Sequence, residues 1–485
     1  MTACRLVKIV DPALTPSRIT TFHPDDQVVE ALRGRTLAGD KKDGTMRTWK
    51  RVTQHATPSR TRPFTTTARR LEIRPLHELK NRVVSSVNRT SPTDLVALTW
   101  PSPPRNILLV RKEDDSPARD AAIEFGRHIH STYPSIRLIL EPDVAADLHN
   151  YFSFPVYAAN GTGNPGYEKK VDVTATFGGD GTILHAASLF ATARSVPPIL
   201  SFSMGTLGFL GEWKFKEYKR AFRELYVSGA PSPFAMESQA AAPMDPATQA
   251  WAAVKGKTMG AHRNSRILMR SRLRIGLFDA AGTRLPHEPP FTHPGNNCED
   301  IFALNEVALH RGALPHLAYI TILIGSPPNQ RTLTTAIADG FLVSTPTGST
   351  AYSLSSGGSI VHPLVPSLLL TPISARSLSF RPLVLPANTP ITLRIDQSNR
   401  GKEIEVSVDG VRRQQGLSAG MEVRVVGEKL RSPGVREWVG GVPSVVRSTG
   451  GSGGVGAGDG ADHWVGGLNQ LLKFNYPFGE DGGQT

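Results

Sequence analysis

Apolar positions along the first half of this chain come in short runs that are separated by longer, helix-like patterns. Four of the runs have the length and composition of buried strands, namely Asn106–Val110, Ile136–Leu140, Val171–Thr176 and Pro198–Phe202. Between the first two, Ala118–Tyr133 has the spacing of a helix. Continuous apolar strands that alternate with helices are typical of a parallel sheet covered on both faces. We therefore predict a doubly wound α/β domain over residues 105–228, with its ligand at the carboxyl ends of the strands.

From residue 265 onward the pattern changes to short strands in which apolar and polar residues alternate. The clearest strands are Ser265–Leu277, Thr321–Ile324, Ile391–Ile395, Ile404–Val408 and Met421–Val426. Turn residues separate them, which indicates an antiparallel β domain over residues 265–435.

Two further segments have the composition of connections. Residues 229–264 contain a stretch rich in Ala, Pro and Ser, and we interpret them as a flexible insertion between the two domains. Residues 436–485 combine a Gly-rich linker at 450–460 with a C-terminal segment, which we expect to pack back on the α/β domain.

Residues 1–104 show no sustained apolar periodicity and are rich in Thr, Ser, Pro and Arg, so we predict a disordered N-terminal region. Within it, residues 46–71 carry seven Arg or Lys and no acidic residue, which is the composition of a mitochondrial presequence. Residues 1–45 carry six acids, which does not fit a presequence unless translation starts at Met46. The alternative is an ordinary basic tail.

The net charge of +13 suggests nucleic acid as a partner, but its distribution argues against that class of function. Residues 1–105 hold 19 basic and 9 acidic side chains, whereas the other 380 residues hold 36 and 33. The excess therefore belongs to the N-terminal region and not to a binding face. No apolar run approaches the ~20 residues that cross a bilayer, so we expect no membrane partner. The only cysteines, Cys4 and Cys298, fit a reducing compartment.

The predicted strand Val171–Thr176 leads into Phe-Gly-Gly-Asp-Gly-Thr at 177–182, and Ile183–Phe190 then has a helical pattern. Glycines let a backbone turn tightly, and the first N–H groups of a helix favour phosphate. A carboxylate in such a cradle is repulsive unless it holds a metal or accepts a proton, so Asp180 is the first candidate for chemistry. The alternative is that Asp180 only caps the helix.

Two later segments add polar groups in apolar surroundings. Asn305 and Glu306 stand side by side between apolar residues, and such a pair needs hydrogen-bond partners from the fold or from a ligand. After Asp339, an apolar strand leads into a turn at 344–358 that is rich in hydroxyls and glycine. Small side chains there leave space for a bound group, and Tyr352 offers an aromatic face.

Taken in this order, these segments resemble the NAD kinase family. The resemblance covers residues 105–485 and includes Gly178–Thr182, Asn305-Glu306, Asp339-Gly340, Ser344–Ser353, Leu200–Leu210 and Ser379–Val384. The tail Leu468–Phe478 is similar to the fungal mitochondrial NADH kinase branch of that family.

The resemblance implies a nucleotide-binding α/β domain followed by a β-sandwich domain. It also implies that ATP phosphorylates the adenosine-ribose 2′-hydroxyl of NAD or NADH, with Mg²⁺ or another divalent cation, to give NADP or NADPH. In this scheme Asp180 accepts the hydroxyl proton, and Gly179, Gly181 and Thr182 hold phosphate. The implied dinucleotide contacts are Asn305, Glu306, His316, Asp339, Thr350, Ala351, Tyr352 and Ser355. The resemblance assigns no protein ligand to the metal.

Two other functions share part of this pattern. A lipid kinase would share the glycine turn, but it has no use for Asn305-Glu306. A non-catalytic nucleotide sensor would share the binding residues, and the presence of Asp180 weighs against it. His310 and Ile337 depart from the family pattern and leave the choice between NAD and NADH open. We expect a homo-oligomer in the mitochondrial matrix, with a cytosolic fraction if translation starts at Met1.

Overall fold

The computed structural model describes residues 72–89, 95–159, 166–205, 208–231, 246–254, 263–288, 291, 299–430, 440–447, 464 and 468. The chain divides into the units Met1–Thr66 and Thr67–Thr485, and every described residue belongs to the second. The presequence-like segment, Met46, both cysteines and the linker at 450–460 lie outside the described residues. Of the predicted C-terminal part, 436–485, the structure describes 440–447, 464 and 468.

One large sheet organises the first domain. Its strands are β1 (Ile73–Pro75), β2 (Ser86–Arg89), β3 (Val96–Thr99), β4 (Asn106–Arg111), β5 (Arg137–Leu140), β6 (Val156–Ala158), β7 (Val173–Phe177), β8 (Ile199–Ser203), β9 (Trp213–Lys214), β10 (Ser265–Arg270) and β23 (Val442–Val445). Within the described part of the chain the order is β1-β6-β5-β4-β7-β8-β23-β10-β3-β2, with β9 beside β8. The strands from β1 to β23 in this order pair in parallel, and β10, β3 and β2 continue the sheet antiparallel.

Helices cover both faces of this sheet. They are α1 (Ser116–Thr132), α2 (Pro142–Leu148), α3 (Tyr167–Lys170), α4 (Asp180–Ser188), α5 (Tyr218–Tyr226) and α6 (Pro246–Ala253). On one face α1 and α5 pack with Phe177 and Phe202 in a single core, and on the other α4 packs with Leu108 and Val110. The five strands β6-β5-β4-β7-β8 are all parallel. From β4 the chain adds β5 and β6 on one side, and it then crosses to the other side of β4 to add β7 and β8. The predicted doubly wound domain is therefore confirmed, with its switch point between β4 and β7.

Two antiparallel sheets form the second domain and confirm the predicted sandwich. The first contains β11 (Leu273–Phe278), β12 (Ile301–Ala303), β14 (Ala318–Ile324), β15 (Arg331–Ala338), β19 (Ile391–Ile395) and β22 (Glu422–Gly427). The second contains β13 (Glu306–His310), β16 (Gly340–Ser344), β17 (Ser367–Ile373), β18 (Leu383–Pro386), β20 (Glu405–Val408) and β21 (Val411–Arg412). Their inner faces share one apolar core. A 3₁₀ turn (Thr347–Thr350) and the short helix α7 (Tyr352–Ser355) follow β16.

The prediction of a disordered region up to residue 104 is wrong for its last part. Strand β1 adds to one end of the large sheet, and β2 and β3 form the other end. Leu98 and Trp100 are fully buried there. Strands of three or four residues are too short to show periodicity, and they gain their stability by pairing with a sheet formed elsewhere in the chain.

The predicted strand Ser265–Leu277 is two strands that belong to different domains. β10 pairs with β3 and β23 in the large sheet, whereas β11 pairs with β12 and β22 in the sandwich. Ser271 and Arg272 lie between them. An alternation of apolar and polar residues indicates that one face of a strand is buried, but it does not indicate which sheet the strand joins.

Candidate functional site

The glycine turn connects β7 to α4 at the switch point of the sheet. Gly178 has φ 155°, and a Cβ there would lie 2.2 Å from the Thr182 hydroxyl oxygen. Helix α4 begins at Asp180, three residues before the predicted start, and Gly179 precedes it. Apart from their chain neighbours and the backbone of α4 itself, no atom of the described residues lies within 4 Å of the places where Gly179 and Gly181 would carry a Cβ, so there is open space beside the start of α4.

A pocket of about 440 Å³ lies over this turn. Residues that follow β4 form one wall and the start of α4 forms the other, and the lining residues are Arg111, Lys112, Glu113, Gly179, Gly181, Thr182 and His185. Open α/β sheets bind ligands at such a switch point, and helix N-terminal amides together with cations favour phosphate. His185 Nε2 lies 2.8 Å from Glu141 Oε1, and this hydrogen bond raises the pKa of His185.

Asp180 does not cap its own helix. Its carboxylate accepts hydrogen bonds from the backbone N–H groups of Phe209 at 2.9 Å and Leu210 at 3.0 Å. A Cβ at Gly208 would lie 2.2 Å from Asp180 Oδ1, so this backbone comes too close for any side chain but hydrogen. The loop after β8 therefore fixes the Asp180 carboxylate, and the capping alternative is not supported.

The Asn305-Glu306 pair is held by a carboxylate that the sequence analysis missed. Asp409 accepts from the backbone N–H groups of Leu304 at 2.7 Å, Asn305 at 2.7 Å and Glu306 at 3.1 Å. Asp409 has φ 49° and Gly410 has φ 80°, as the two-residue turn between β20 and β21 requires. The Asp-Gly dipeptide signals a hairpin, but nothing in the sequence links it to residues a hundred positions earlier.

Three buried oxygens, two of the pair itself and one beside it, lack a hydrogen-bond partner among the described residues. They are Asn305 Oδ1, Glu306 Oε2 and Ser344 Oγ. Ser344 stands opposite Glu306 in the register of β13 and β16. Burial, together with the charge of Asp409, raises the pKa of Glu306 to about 8. Because buried polar atoms are normally satisfied, these oxygens indicate a ligand or water site.

The hydroxyl turn packs directly on Asn305. Thr345 donates from its N–H to Asn305 O at 2.8 Å and from its hydroxyl to Leu304 O at 2.6 Å. A Cβ on Gly348 would lie 2.3 Å from Asn305 O, so only glycine fits. Tyr352 is 40% exposed and presents its ring at the surface of this turn. The hydroxyls of Thr350 and Ser355 donate to Thr347 O and Tyr352 O, and Ala351 lies between these residues.

The two halves of the site meet through apolar contacts. Leu304 is buried in the same cluster as Ile183 and Leu210, which adjoin Asp180 and the loop that holds it. The backbone N–H of Phe302 donates to Ala191 O at 2.7 Å, just after α4. The structure thus links the helix that begins at Asp180 to the residues just before the Asn305-Glu306 pair.

Asp339 and His316 lie away from the Asn305-Glu306 pair. Asp339 precedes β16, whereas Ser344 ends it, so at about 3.4 Å per residue the two are separated by roughly 17 Å along the strand. Asp339 Oδ1 lies 2.5 Å from Arg311 Nε, and His316 is exposed on the connection between β13 and β14. A single ligand reaches both ends of β16 only if it is extended.

A glycine turn at a switch point, a carboxylate fixed by a neighbouring loop and buried oxygens without partners among the described residues are the features of a protein that binds a phosphorylated, hydroxyl-bearing ligand. The chain belongs to the NAD kinase family. The model of the ATP-NAD kinase N-terminal domain matches residues 150–229, and that of the ATP-NAD kinase C-terminal domain matches residues 304–429. The predicted family is confirmed, and with it the reaction class, ATP-dependent phosphorylation of NAD or NADH.

Relatives of known description cover most of the chain. It is 36% identical over 417 residues to NADH kinase pos5, mitochondrial, of Schizosaccharomyces pombe, covering 84% of this chain and 87% of that protein. It is also 36% identical over 375 residues to NADH kinase POS5, mitochondrial, of Saccharomyces cerevisiae, covering 74% and 76%. The crystal structure of yeast NADH kinase complexed with NADH superposes with a TM-score of 0.63 at 32% identity, covering 84% and 98%.

Proposed function

We propose that this chain transfers the terminal phosphoryl group of ATP to the adenosine-ribose 2′-hydroxyl of NAD or NADH, and that Asp180 accepts the hydroxyl proton. One pairing of observations carries the proposal: a pocket lined by Lys112 and the start of α4 lies at the glycine turn, and three buried oxygens at and beside the Asn305-Glu306 pair have no hydrogen-bond partner among the described residues. A ligand that supplies both phosphates and hydroxyl or amide donors satisfies both places. Relatives named as NADH kinases support it.

The half of the site around the glycine turn holds and orients the phosphates. The amides that begin α4, with Gly179, Gly181 and Thr182, cradle phosphate oxygens, and Lys112 on the opposite wall supplies positive charge. Phosphoryl transfer depends mainly on positioning and on neutralising charge. A carboxylate fixed by two amides is placed to receive the hydroxyl proton without moving.

The sandwich half recognises the dinucleotide. Asn305 Oδ1 and Ser344 Oγ accept from the adenosine and ribose edges, and Glu306, whose pKa of about 8 leaves it protonated at neutral pH, also donates. Thr350, Ala351, Tyr352 and Ser355 form the adenosine-binding turn, where the exposed Tyr352 ring covers one face of the ligand. Asp339 and His316, at the far end of β16, receive the nicotinamide end of an extended dinucleotide.

The residues present fit a divalent metal that ATP brings with it. Among the described residues there is no cluster of three or more His, Cys, Asp or Glu side chains that would form a cage. Mg²⁺ needs no cage, because it keeps several waters and binds through substrate phosphates with one or two carboxylates. Asp180 and Glu113 are the carboxylates next to the pocket that would hold it. The ion supplies charge neutralisation on the transferring group.

Purified protein incubated with labelled ATP and NAD, NADH or diacylglycerol tests the function. We expect label on the dinucleotide, at a position that a 2′-specific phosphatase removes. Labelled diacylglycerol would establish the lipid kinase, and binding of dinucleotide without transfer would establish the sensor. Initial rates on NAD and NADH in the same assay decide the preferred redox form.

The relatives are named as mitochondrial proteins, and we propose the mitochondrial matrix for this chain as well. Among the described residues no helix combines the length and the apolar composition that crossing a bilayer needs. N-terminal sequencing of protein from fractionated cells tests this location, because we expect a terminus just after Arg70 in the mitochondrial fraction. An intact Met1 found only in cytosol would contradict it. Light scattering of the purified protein tests the expected homo-oligomer.

A further inference from the structure

Arg270 is a buried cation whose hydrogen-bond partners are few and distant. It ends β10 and is 2% exposed. Its Nε donates to Ser444 Oγ at 3.2 Å and its Nη2 to Phe209 O at 3.4 Å, and Glu212 Oε1 lies 3.9 Å away. Arg272, two residues on and equally buried, instead makes two short bonds to Glu428 at 2.7 and 2.8 Å. Burying a cation without a close carboxylate is costly, so the position of Arg270 calls for a function.

We propose that Arg270 is a positioning residue for Asp180. The proposal rests on the proposed function, since it gives a role to the residue behind the assigned base. Phe209 joins the two side chains: its carbonyl accepts from Arg270, and its N–H donates to Asp180 Oδ2 at 2.9 Å. The Phe209 carbonyl shares its peptide group with the Leu210 N–H, which donates to Asp180 Oδ1 at 3.0 Å. Arg270 thereby sets the orientation of a peptide group that holds the carboxylate.

The positive charge of Arg270 also helps to hold the Asp180 carboxylate in place. Burial lowers the pKa of Arg270, and the negative charges of Glu212 and Asp180 counteract that change. The interaction is mutual, so the guanidinium attracts the Asp180 carboxylate toward the loop after β8. The carboxylate must stay in place while polyphosphate, also anionic, occupies the neighbouring pocket. A fixed cation on the protein side opposes the repulsion between the two anions.

The test uses the intact chain with Arg270→Met, which keeps an unbranched side chain of similar length, and Arg270→Lys, which keeps the charge without the planar fork. We expect Arg270→Met to lower kcat about 10²-fold while KM for the dinucleotide stays unchanged, because a misplaced reacting group costs about that factor. Arg270→Lys should recover part of the loss. Arg413→Met removes another buried arginine, paired with Glu288 in the sandwich, and should leave kcat unchanged.

A double-mutant cycle separates this role from a purely structural one. If Arg270 acts through Asp180, Arg270→Met should lower kcat no further in the Asp180→Asn background. Equal losses in both backgrounds, or parallel losses in kcat and in dinucleotide affinity, would overturn the proposal. If Asp180→Asn itself keeps a normal rate, the proposed function fails. If Asp180→Asn loses activity while Arg270→Met and Arg270→Lys keep it, only this inference fails.

Discussion

The two halves of the site differ in how their polar atoms are satisfied. In the α/β half, both Asp180 oxygens already accept hydrogen bonds from the backbone of one loop. In the sandwich half, Asp409 accepts from the backbone N–H groups of Asn305 and Glu306, but Asn305 Oδ1, Glu306 Oε2 and Ser344 Oγ have no hydrogen-bond partner among the described residues. The carboxylate proposed to react is thus held by the protein alone, whereas the groups proposed to recognise the dinucleotide leave oxygens for the ligand.

This difference predicts different responses to mutation. A preorganised charged group contributes in the transition state, so changes around Asp180 should lower kcat. Groups satisfied only by the ligand contribute to binding, so changes around Asn305 should raise Kd. The predictions below test this division, from the largest expected effect to the smallest.

Asp180→Asn should lower kcat by about 10²–10⁴-fold, the range that a positioned general base contributes, with little change in dinucleotide Kd. Steady-state rates and calorimetric titration measure the two quantities. Asp143→Asn, which removes an exposed carboxylate from the start of α2, serves as the control and should keep the normal rate. A near-normal rate for Asp180→Asn would make this carboxylate a structural group only.

Gly208→Ala should lower kcat about 10²-fold, because the new methyl group would overlap Asp180 Oδ1 and displace the carboxylate. Gly205→Ala is the matched control: it lies in the same loop, and, its chain neighbours apart, no atom of the described residues comes within 4 Å of its Cβ position. Equal rates for the two variants would show that the position of the Asp180 carboxylate does not limit turnover.

Asn305→Ala should raise the dinucleotide Kd about tenfold and leave kcat nearly unchanged, since it removes a partner of the ligand and not a reacting group. Tyr352→Ala should also raise the dinucleotide Kd about tenfold, because it removes the aromatic ring on which the ligand stacks. Calorimetry gives Kd directly. Unchanged affinity in both variants would refute the assignment of the sandwich half as the recognition site.

The last prediction concerns the stability of the protein without ligand, and not its turnover or affinity. A carboxyl whose pKa is raised on folding, as burial raises that of Glu306 to about 8 from 4.5, stabilises the fold below its unfolded value and loses that contribution as pH rises. The free energy of unfolding should therefore decline more steeply between these two pH values in the parent protein than in Glu306→Gln. Urea midpoints against pH measure the slopes, with the exposed Glu403→Gln as control. Parallel slopes would contradict a buried, protonated Glu306.

Local pattern was enough to predict the elements around Asp180. Strand β4 is mostly an apolar run, β7 is rich in β-branched residues, and glycines flank the carboxylate, so both the sheet and the turn follow from neighbouring residues. The pairing of β1, β2, β3 and β10 did not follow, because short or alternating strands carry no information about their partners. Asp409 and Arg270 were missed for the same reason: each acts on residues 60 to 105 positions away, by contacts that the fold alone creates.

Strand β23 has a consequence for how the protein is made. It lies between β8 and β10, and Val445 O also accepts from the indole of Trp213 at 3.2 Å. Until the ribosome has released residues 442–445, the large sheet exists as two pieces, each with an open edge that can pair with other chains. Folding of the first domain therefore waits for the last described strand, and translation of the whole sandwich intervenes. A nascent chain in this interval is a substrate for chaperones that shield exposed strand edges.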